Sequence, residues 1–197
     1  QLGLGDSTQR ESFTKVNIDN VKQIACGYNH TVLVKNDGTV WACGDNNYGQ
    51  LGLGNYIEKK TFTQVSIDNV KQIACGFEHT VLVKNDGTVW ACGDGENGQL
   101  GLGSYIEKKA TFIQINNVNN VKQVSCGSGH TILVKNDGTI WACGMNNSGE
   151  LGLGHQDNMT TFIQINNVNN VKQVSCGHYH TVLVKNDGTV WACGDNS

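Results

Sequence analysis

A chain of 197 residues, 16% charged and 38% hydrophobic, has the composition of one folded core rather than of a disordered tail. The formal net charge is −3, and eight of the fourteen basic residues are two lysines repeated in each unit (Lys22 and Lys35 and their copies), so no basic cluster suits a phosphate backbone and no nucleic-acid partner is expected. No apolar run reaches the length of a membrane span, no membrane partner is expected, and Gln1–Gly5 has neither a basic leader nor an initiator Met, so the chain reads as a processed piece or a fragment of a longer array.

The tryptophans Trp41, Trp90, Trp141 and Trp191 are separated by 49, 51 and 50 residues, and nearly every neighbouring position repeats with them. A period near fifty marks a repeat architecture, with units over roughly 21–69, 70–120, 121–170 and 171–197, the last closed by 1–20 as a single domain over 1–197. In the first unit, Val21 to Cys26, Thr31 to Lys35, Thr39 to Cys43 and Phe62 to Ile67 are β-branched or aromatic-rich and bounded by Gly, Asn and Asp, which predicts four short strands. No helix signal competes. The chain has no proline, which would delete a ladder donor inside such strands.

Between the first two strands lies Cys26-Gly27-Tyr28-Asn29-His30, and between the second and third lies Asn36-Asp37-Gly38, a tight-turn signal. Taking Asp37-Gly38 as a two-residue loop sets Trp41 opposite Val34 and Cys43 opposite Val32; taking Tyr28-Asn29 as the other loop sets Ala25 opposite Val32 and Cys26 opposite Thr31. One face then carries Ala25, Val32, Val34, Trp41 and Cys43, and the other Ile24, Cys26, Leu33, Val40 and Ala42. A short antiparallel sheet apolar on both faces must be sandwiched between copies of itself, which predicts an all-β propeller of four-stranded antiparallel blades. The chain stops after a third strand and starts with the segment that follows it in the inner units. Residues 11 to 18 are therefore expected to complete the blade begun by residues 171 to 195.

In order, Cys-Gly-x-x-His-Thr, Leu-Val-Lys-Asn-Asp-Gly-Thr, Trp-Ala-Cys-Gly and Gly-Gln-Leu-Gly-Leu-Gly recur along the chain. This pattern resembles the RCC1 repeats, named after the regulator of chromosome condensation, and covers essentially the whole sequence. The resemblance implies a propeller, usually of seven blades, in which the histidine is a framework residue bonded to neighbouring backbone. Four repeats admit a fragment of a longer array, a compact four-bladed ring, or two chains closing a ring of eight. A wedge shaped for seven fits the compact ring least well, and a homodimer closing the larger ring stays open.

Cys-x3-His could be a metal pair, but zinc motifs usually couple two closely spaced knuckles, and here the other cysteine lies seventeen positions away. On the register above, Cys26 and Cys43 point to opposite faces, which also disfavours a disulfide. Eight buried thiols then suggest a reducing, cytoplasmic setting. A catalytic constellation should occur once, whereas these residues recur in every unit, so no enzyme, metal or cofactor is expected. Gly49–Gly54 lacks the Gly-Lys-Ser/Thr of a phosphate loop and serves turns instead.

Strand alternation puts the Cys-Gly-x-x-His loop and the loop after Trp-Ala-Cys-Gly on one side of the disc, and Asn-Asp-Gly on the other. The Asn-Asp-Gly side is uniform. The first side differs in every unit: Tyr28-Asn29, Phe77-Glu78, Ser128-Gly129 and His178-Tyr179 in one loop, and Asp45 to Tyr48, Asp94 to Asn97 and Met145 to Ser148 in the next. Variable loops on a rigid scaffold are where binding residues concentrate. The candidates for a protein partner are Tyr28, Asn29, Phe77, Glu78, His178, Tyr179, Asn47, Tyr48, Glu96, Asn97 and Met145. The resemblance implies two further roles, guanine-nucleotide exchange on a small GTPase and inhibition of a secreted enzyme. The extended loop and basic tail that accompany exchange and chromatin attachment in the family are not seen in this sequence.

Overall fold

A computed structural model describes residues 1–197. The first sheet contains β1 (Val21–Cys26), β2 (His30–Lys35), β3 (Val40–Gly44) and β4 (Lys59–Val65) in that order, all antiparallel. The second contains β5 (Val70–Cys75), β6 (His79–Lys84), β7 (Val89–Gly95) and β8 (Ile106–Ile115). The third contains β9 (Val121–Cys126), β10 (His130–Lys135), β11 (Ile140–Gly144) and β12 (Met159–Gln164). The last has three strands, β13 (Val171–Cys176), β14 (His180–Lys185) and β15 (Val190–Gly194). The sheets are propeller blades: β1 packs on β5, β5 on β9 and β9 on β13, so the first strand of each blade lines the centre. The fourth strand starts and ends earlier than the sequence suggests, at Lys59 and Val65 rather than Phe62 and Ile67.

The pairing of β1 with β2 is as expected, with Ala25 opposite Val32 and Cys26 opposite Thr31. The next pairing is not. Trp41 faces Leu33 and Cys43 faces Thr31, one step from the expected register. The loop has three residues, not two: the Lys35 amide donates to the Thr39 carbonyl and the Gly38 amide to the Lys35 carbonyl, both at 2.9 Å, with Gly38 at φ 83°. This is the turn-plus-bulge hairpin that glycine in the left-handed region allows. A one-residue slip moves every side chain to the other face. Trp41 and Cys43 therefore join Ile24, Cys26 and Leu33, while Val40 and Ala42 join Ala25, Val32 and Val34. Both faces remain apolar, so the blade architecture survives the correction, but Cys26 and Cys43 now share a face. They flank Thr31 on opposite neighbouring strands, two strand spacings or roughly 10 Å apart, and both are free thiols.

Each junction is built by unlike faces. Val32, Val34, Val40 and Ala42 of the first blade pack with Ile73 and Leu82 of the second, and Leu51 from the connecting segment is buried between them. Ile132, Val134, Ile140 and Ala142 meet Val174, Leu183 and Leu151 in the same way at the third junction. The arc is open at its ends: Ile24 on the first blade and Val190 on the last are exposed. Within one copy residues 11–18 do not form the strand expected beside β15. The chain start is held on the first blade instead, by a Leu4–Thr61 bridge and by the Gln1 carbonyl, which accepts from Thr31 Oγ1 at 2.8 Å and Cys43 Sγ at 3.4 Å.

Candidate interaction face

Cys26-Gly27-Tyr28-Asn29-His30 divides into two functions by the direction its side chains take. His30 turns into the junction, where Nε2 lies 2.9 Å from Thr80 Oγ1 of the next blade; His79 and His130 repeat this with Thr131 and Thr181 at 3.1 Å. The hydroxyls of Thr80, Thr131 and Thr181 donate to the carbonyls of Gln50, Gln99 and Glu150, so each must accept from the histidine, which sets the Nε2–H tautomer. Burial lowers His30 and His130 to about 4 and His79 to about 3, so the rings are neutral. The glycine before each histidine is required sterically, since a Cβ on Gly27, Gly76 or Gly127 would collide with that ring.

The eight thiols are not all buried as expected: Cys43, Cys92 and Cys143 are buried, Cys75, Cys126, Cys176 and Cys193 are partly buried, and Cys26 is exposed because no blade packs on its face in the first sheet. Desolvation raises Cys75 to about 12 and Cys43 and Cys176 to about 11, far from the thiolate a metal or a nucleophile needs. Cys92 and Cys143 reach the carbonyls of Gln50 and Gln99 at 3.5 Å, beside the threonine that shares the same acceptor. His30, His79 and His130 and the thiols of Cys92 and Cys143 are thus engaged in holding blade to blade, whereas Cys26 and His180 are exposed. The resemblance placed the histidine partner on backbone; here it is a threonine hydroxyl.

The residues between them point outward. Tyr28, Phe77, Ser128 and His178, one from each blade, surround a central channel of about 290 Å³ whose wall is Cys26, Cys75, Cys126 and Cys176 with their glycines. A relay of backbone bonds fixes this rim: Tyr28 N–H to the Phe77 carbonyl, Phe77 N–H to Ser128, and Ser128 N–H to His178, at 3.4, 3.2 and 3.0 Å. Tyr28 stacks on Phe77 with centroids 4.0 Å apart, Phe77 meets His178 edge-on at 5.9 Å, and His178 meets Tyr179 at 4.1 Å. Tyr28 and Tyr179 stay exposed at the two ends of this aromatic strip.

Beside it lies a group of carboxylates. Burial, then the neighbouring Asp94, Asp45 and Glu96, raises the Glu78 carboxyl, and Glu78 is the main cause of the raised Tyr48 phenol. Asp45 and Asp94 begin the variable loops but are not among the binding candidates; each accepts from the side-chain amide of Gln50 or Gln99, at 3.1 and 2.7 Å, and so holds its loop closed. The repeated Asp-x4-Gln spacing was the available signal. Asn47, Tyr48, Glu96 and Asn97 occupy those same loops: Asn47 bonds Asp45, the Glu96 amide bonds Asp94, and the Tyr48 and Asn97 amides are capped by Gln50 and Gln99. Met145 stands where the other blades have aspartate, near Asn97 and Gly129 and away from the aromatic strip. Asn29 is exposed and its carbonyl accepts from the Asp45 amide at 2.8 Å. Of the expected set, Tyr28, Phe77, His178 and Tyr179 form one aromatic strip and Glu78, Tyr48 and Glu96 one acidic margin; Met145 joins neither.

The Asn-Asp-Gly turn on the opposite side is identical in all four blades for a physical reason. Asp37 Oδ1 accepts from Thr39 twice, Thr39 Oγ1 accepts from Trp41 Nε1 at 3.1 Å, and Lys35 Nζ lies 5.5 Å from the Trp41 ring centre. The same set is present at Trp90, Trp141 and Trp191. Trp41, Trp90 and Trp141 are half-buried, with the indole N–H satisfied, rather than wholly inside the core.

Among solved structures, human WBSCR16 is similar at TM-score 0.79 and 26% identity, over 88% of this chain and 47% of that one. Prp20p of Saccharomyces cerevisiae is similar at TM-score 0.80 and 22% identity, over 93% of this chain and 47% of its own, which speaks to the fold alone. Among curated proteins, an RCC1 repeat-containing protein of Schizosaccharomyces pombe is 45% identical over 51 residues, 25% of this chain and 14% of that protein. A secretion-regulating guanine nucleotide exchange factor of Bos taurus is 38% identical over 39 residues, 20% of this chain and 8% of that protein. The chain spans about half the length of these solved relatives and a smaller share of the curated ones. The model of the RCC1-like domain matches residues 1–197, and the chain belongs to that family.

Proposed function

We propose that this propeller arc is a non-catalytic scaffold that binds a protein through the channel-mouth side, with the strip from Tyr28 to Tyr179 as the anchor. The observation that carries this reading is the run of aromatic rings in contact across blades, exposed at both ends and bordered by Glu78, Asp94 and Glu96. Rigid aromatics supply contact area at low entropy cost, and acidic neighbours favour a partner segment that is apolar and basic. Lysine- and arginine-containing aromatic peptides on an array are the direct probe. Y28A, F77A and Y179A should each weaken a bound peptide by roughly thirtyfold if they are hot spots, with the fold kept and only a small drop in melting point. Undiminished binding by the triple variant would overturn the reading.

Guanine-nucleotide exchange is the second reading, supported by the match to the bovine exchange factor. A stopped-flow assay of labelled GDP release from a panel of small GTPases tests it. Acceleration that survives the triple variant would place the activity elsewhere on the chain.

A further inference from the structure

Two neighbouring junctions share one plan but differ on the Asn-Asp-Gly side of the disc. Where the second blade meets the third, the segment after β8 carries Val118, which is 5% exposed and shares a cluster with Phe162 at 2%, packed against Trp141 and Leu102. Asn117 Nδ2 adds a bond of 3.5 Å to the Phe162 carbonyl. The space between outer strand and tryptophan is filled there.

Where the first blade meets the second, the segment after β4 is one residue shorter, Ser66-Ile67-Asp68 against Asn116-Asn117-Val118-Asn119. Ile67, Phe112, Trp90 and Leu53 hold the matching places, yet all four are only half-buried. A groove of about 690 Å³ lies between them, its walls drawn from residues 39–112 of two complete blades. Small-molecule sites occupy roughly 300 to 1,000 Å³.

The lining decides what fits. Trp90, Phe112, Leu53 and Ile67 give the groove aromatic and apolar surface, while Gln64, Ser66 and Thr111 add one amide and two hydroxyls. Its charged groups are a pair: Lys84 Nζ lies 3.5 Å from Asp68 Oδ1 and 5.3 Å from the Trp90 ring centre. That separation is longer than a good hydrogen bond, so the ammonium keeps protons, and the carboxylate lone pairs, for a ligand. A ligand with a net charge would be repelled by one member of the pair. A wholly apolar one would strip water from both. Aromatic faces, neutral donors and a self-compensated pair suit an uncharged molecule that has C–H faces and several hydroxyls, because the negative face of an aromatic ring attracts polarised C–H bonds.

We propose that this groove binds a neutral pyranose sugar, its C–H face against Trp90 and Phe112 and its hydroxyls on Asp68, Lys84 and Gln64. The site lies across the disc from the aromatic strip and does not depend on it.

Saturation-transfer NMR of the native chain with the methyl pyranosides of glucose, galactose, mannose and N-acetylglucosamine is the direct test. A ligand of about a dozen heavy atoms should bind with roughly millimolar affinity. If no glycoside binds at concentrations well above that, or if benzoate, a free amino acid or adenosine binds in preference, the proposal is overturned. Array-tethered glycans, read beside the free methyl glycosides, decide whether the sugar is the end of a larger glycan or a free molecule. Exchanging Ser66-Ile67-Asp68 for the sequence of residues 116–119 should fill the groove and abolish binding with the fold kept; binding that survives the exchange refutes the site. Asp68→Ala, at a side chain 70% exposed, leaves the core untouched and should weaken the glycoside by roughly tenfold, and unchanged affinity would also refute it. The triple variant of Tyr28, Phe77 and Tyr179 should bind the glycoside as the native chain does. Loss of binding in that variant would move the sugar to the channel mouth and overturn the assignment to this groove.

Discussion

The two sides of the disc are built from the same strands yet use their sequence in opposite ways. On the Asn-Asp-Gly side each blade closes its own turn with an aspartate, a threonine, an indole N–H and a lysine. On the channel-mouth side the repeated Cys, Gly and His face inward and the two residues between them face out, so the surface can change without disturbing a junction. The contrast teaches that identity among repeats here tracks hydrogen bonds and burial, and variation tracks exposure.

The largest expected effect comes from breaking the uniform side. Trp90→Ala removes a half-buried ring and its bond to Thr88, and should destabilise by about 3 kcal/mol, at the lower end for aromatic truncation because the ring is not fully enclosed. Denaturant titration with an unchanged slope would measure it, and a loss below about 1 kcal/mol would remove the tryptophans from the framework.

Acid should break the junctions next. Burial holds His30, His79 and His130 at about 4, 3 and 4, well below the 6.5 of a free imidazole. A depressed pKa means that the unfolded chain binds the proton first, so the stability is complete above pH 6.5 and is lost as pH falls towards 4. The slope approaches about 1.4 kcal/mol per pH unit for each histidine. Burial raises the carboxyls of Glu78 and Asp94, which act in the opposite sense, their folded-state cost being relieved as they take up protons on acidification. Stability compared at pH 7 and pH 5.5 should fall steeply in the native chain and less steeply in His79→Gln; parallel curves would show that this ring does not control the loss.

Thr88→Val tests the network alone. It leaves the Trp90 indole N–H and Asp86 without their shared hydroxyl and should cost about 1 to 2 kcal/mol, with tryptophan fluorescence shifting to the red. The smallest effect belongs to the other side. Tyr28→Ala loses one stacked contact with Phe77 and should lower stability by about 0.5 to 1.5 kcal/mol while weakening a bound partner peptide roughly thirtyfold. A stability loss as large as that of Trp90→Ala would erase the distinction between the two sides.

The blade could be read from residues because its two faces obey local rules. Alternation of apolar side chains, glycines at turns and the absence of proline all act within a few residues of one another. The exact register could not, since Asn36-Asp37-Gly38 suits both a two-residue and a three-residue loop, and the choice rests on where the Lys35 and Gly38 amides find acceptors. The aromatic strip was legible as a set of variable residues, but not as a strip. Tyr28 and Phe77 are 49 positions apart and meet only because consecutive blades bring equivalent loops to one rim.

The recurring pattern of Cys and His shows the same boundary. By itself the sequence determined that these residues are framework, because four identical copies serve a repeated packing need better than a single site. Only the tertiary structure decided what they hold: His30 reaches Thr80 and Cys92 reaches Gln50, partners fifty and forty-two positions away. Such bonds cross between blades, and no periodicity within a blade can name them.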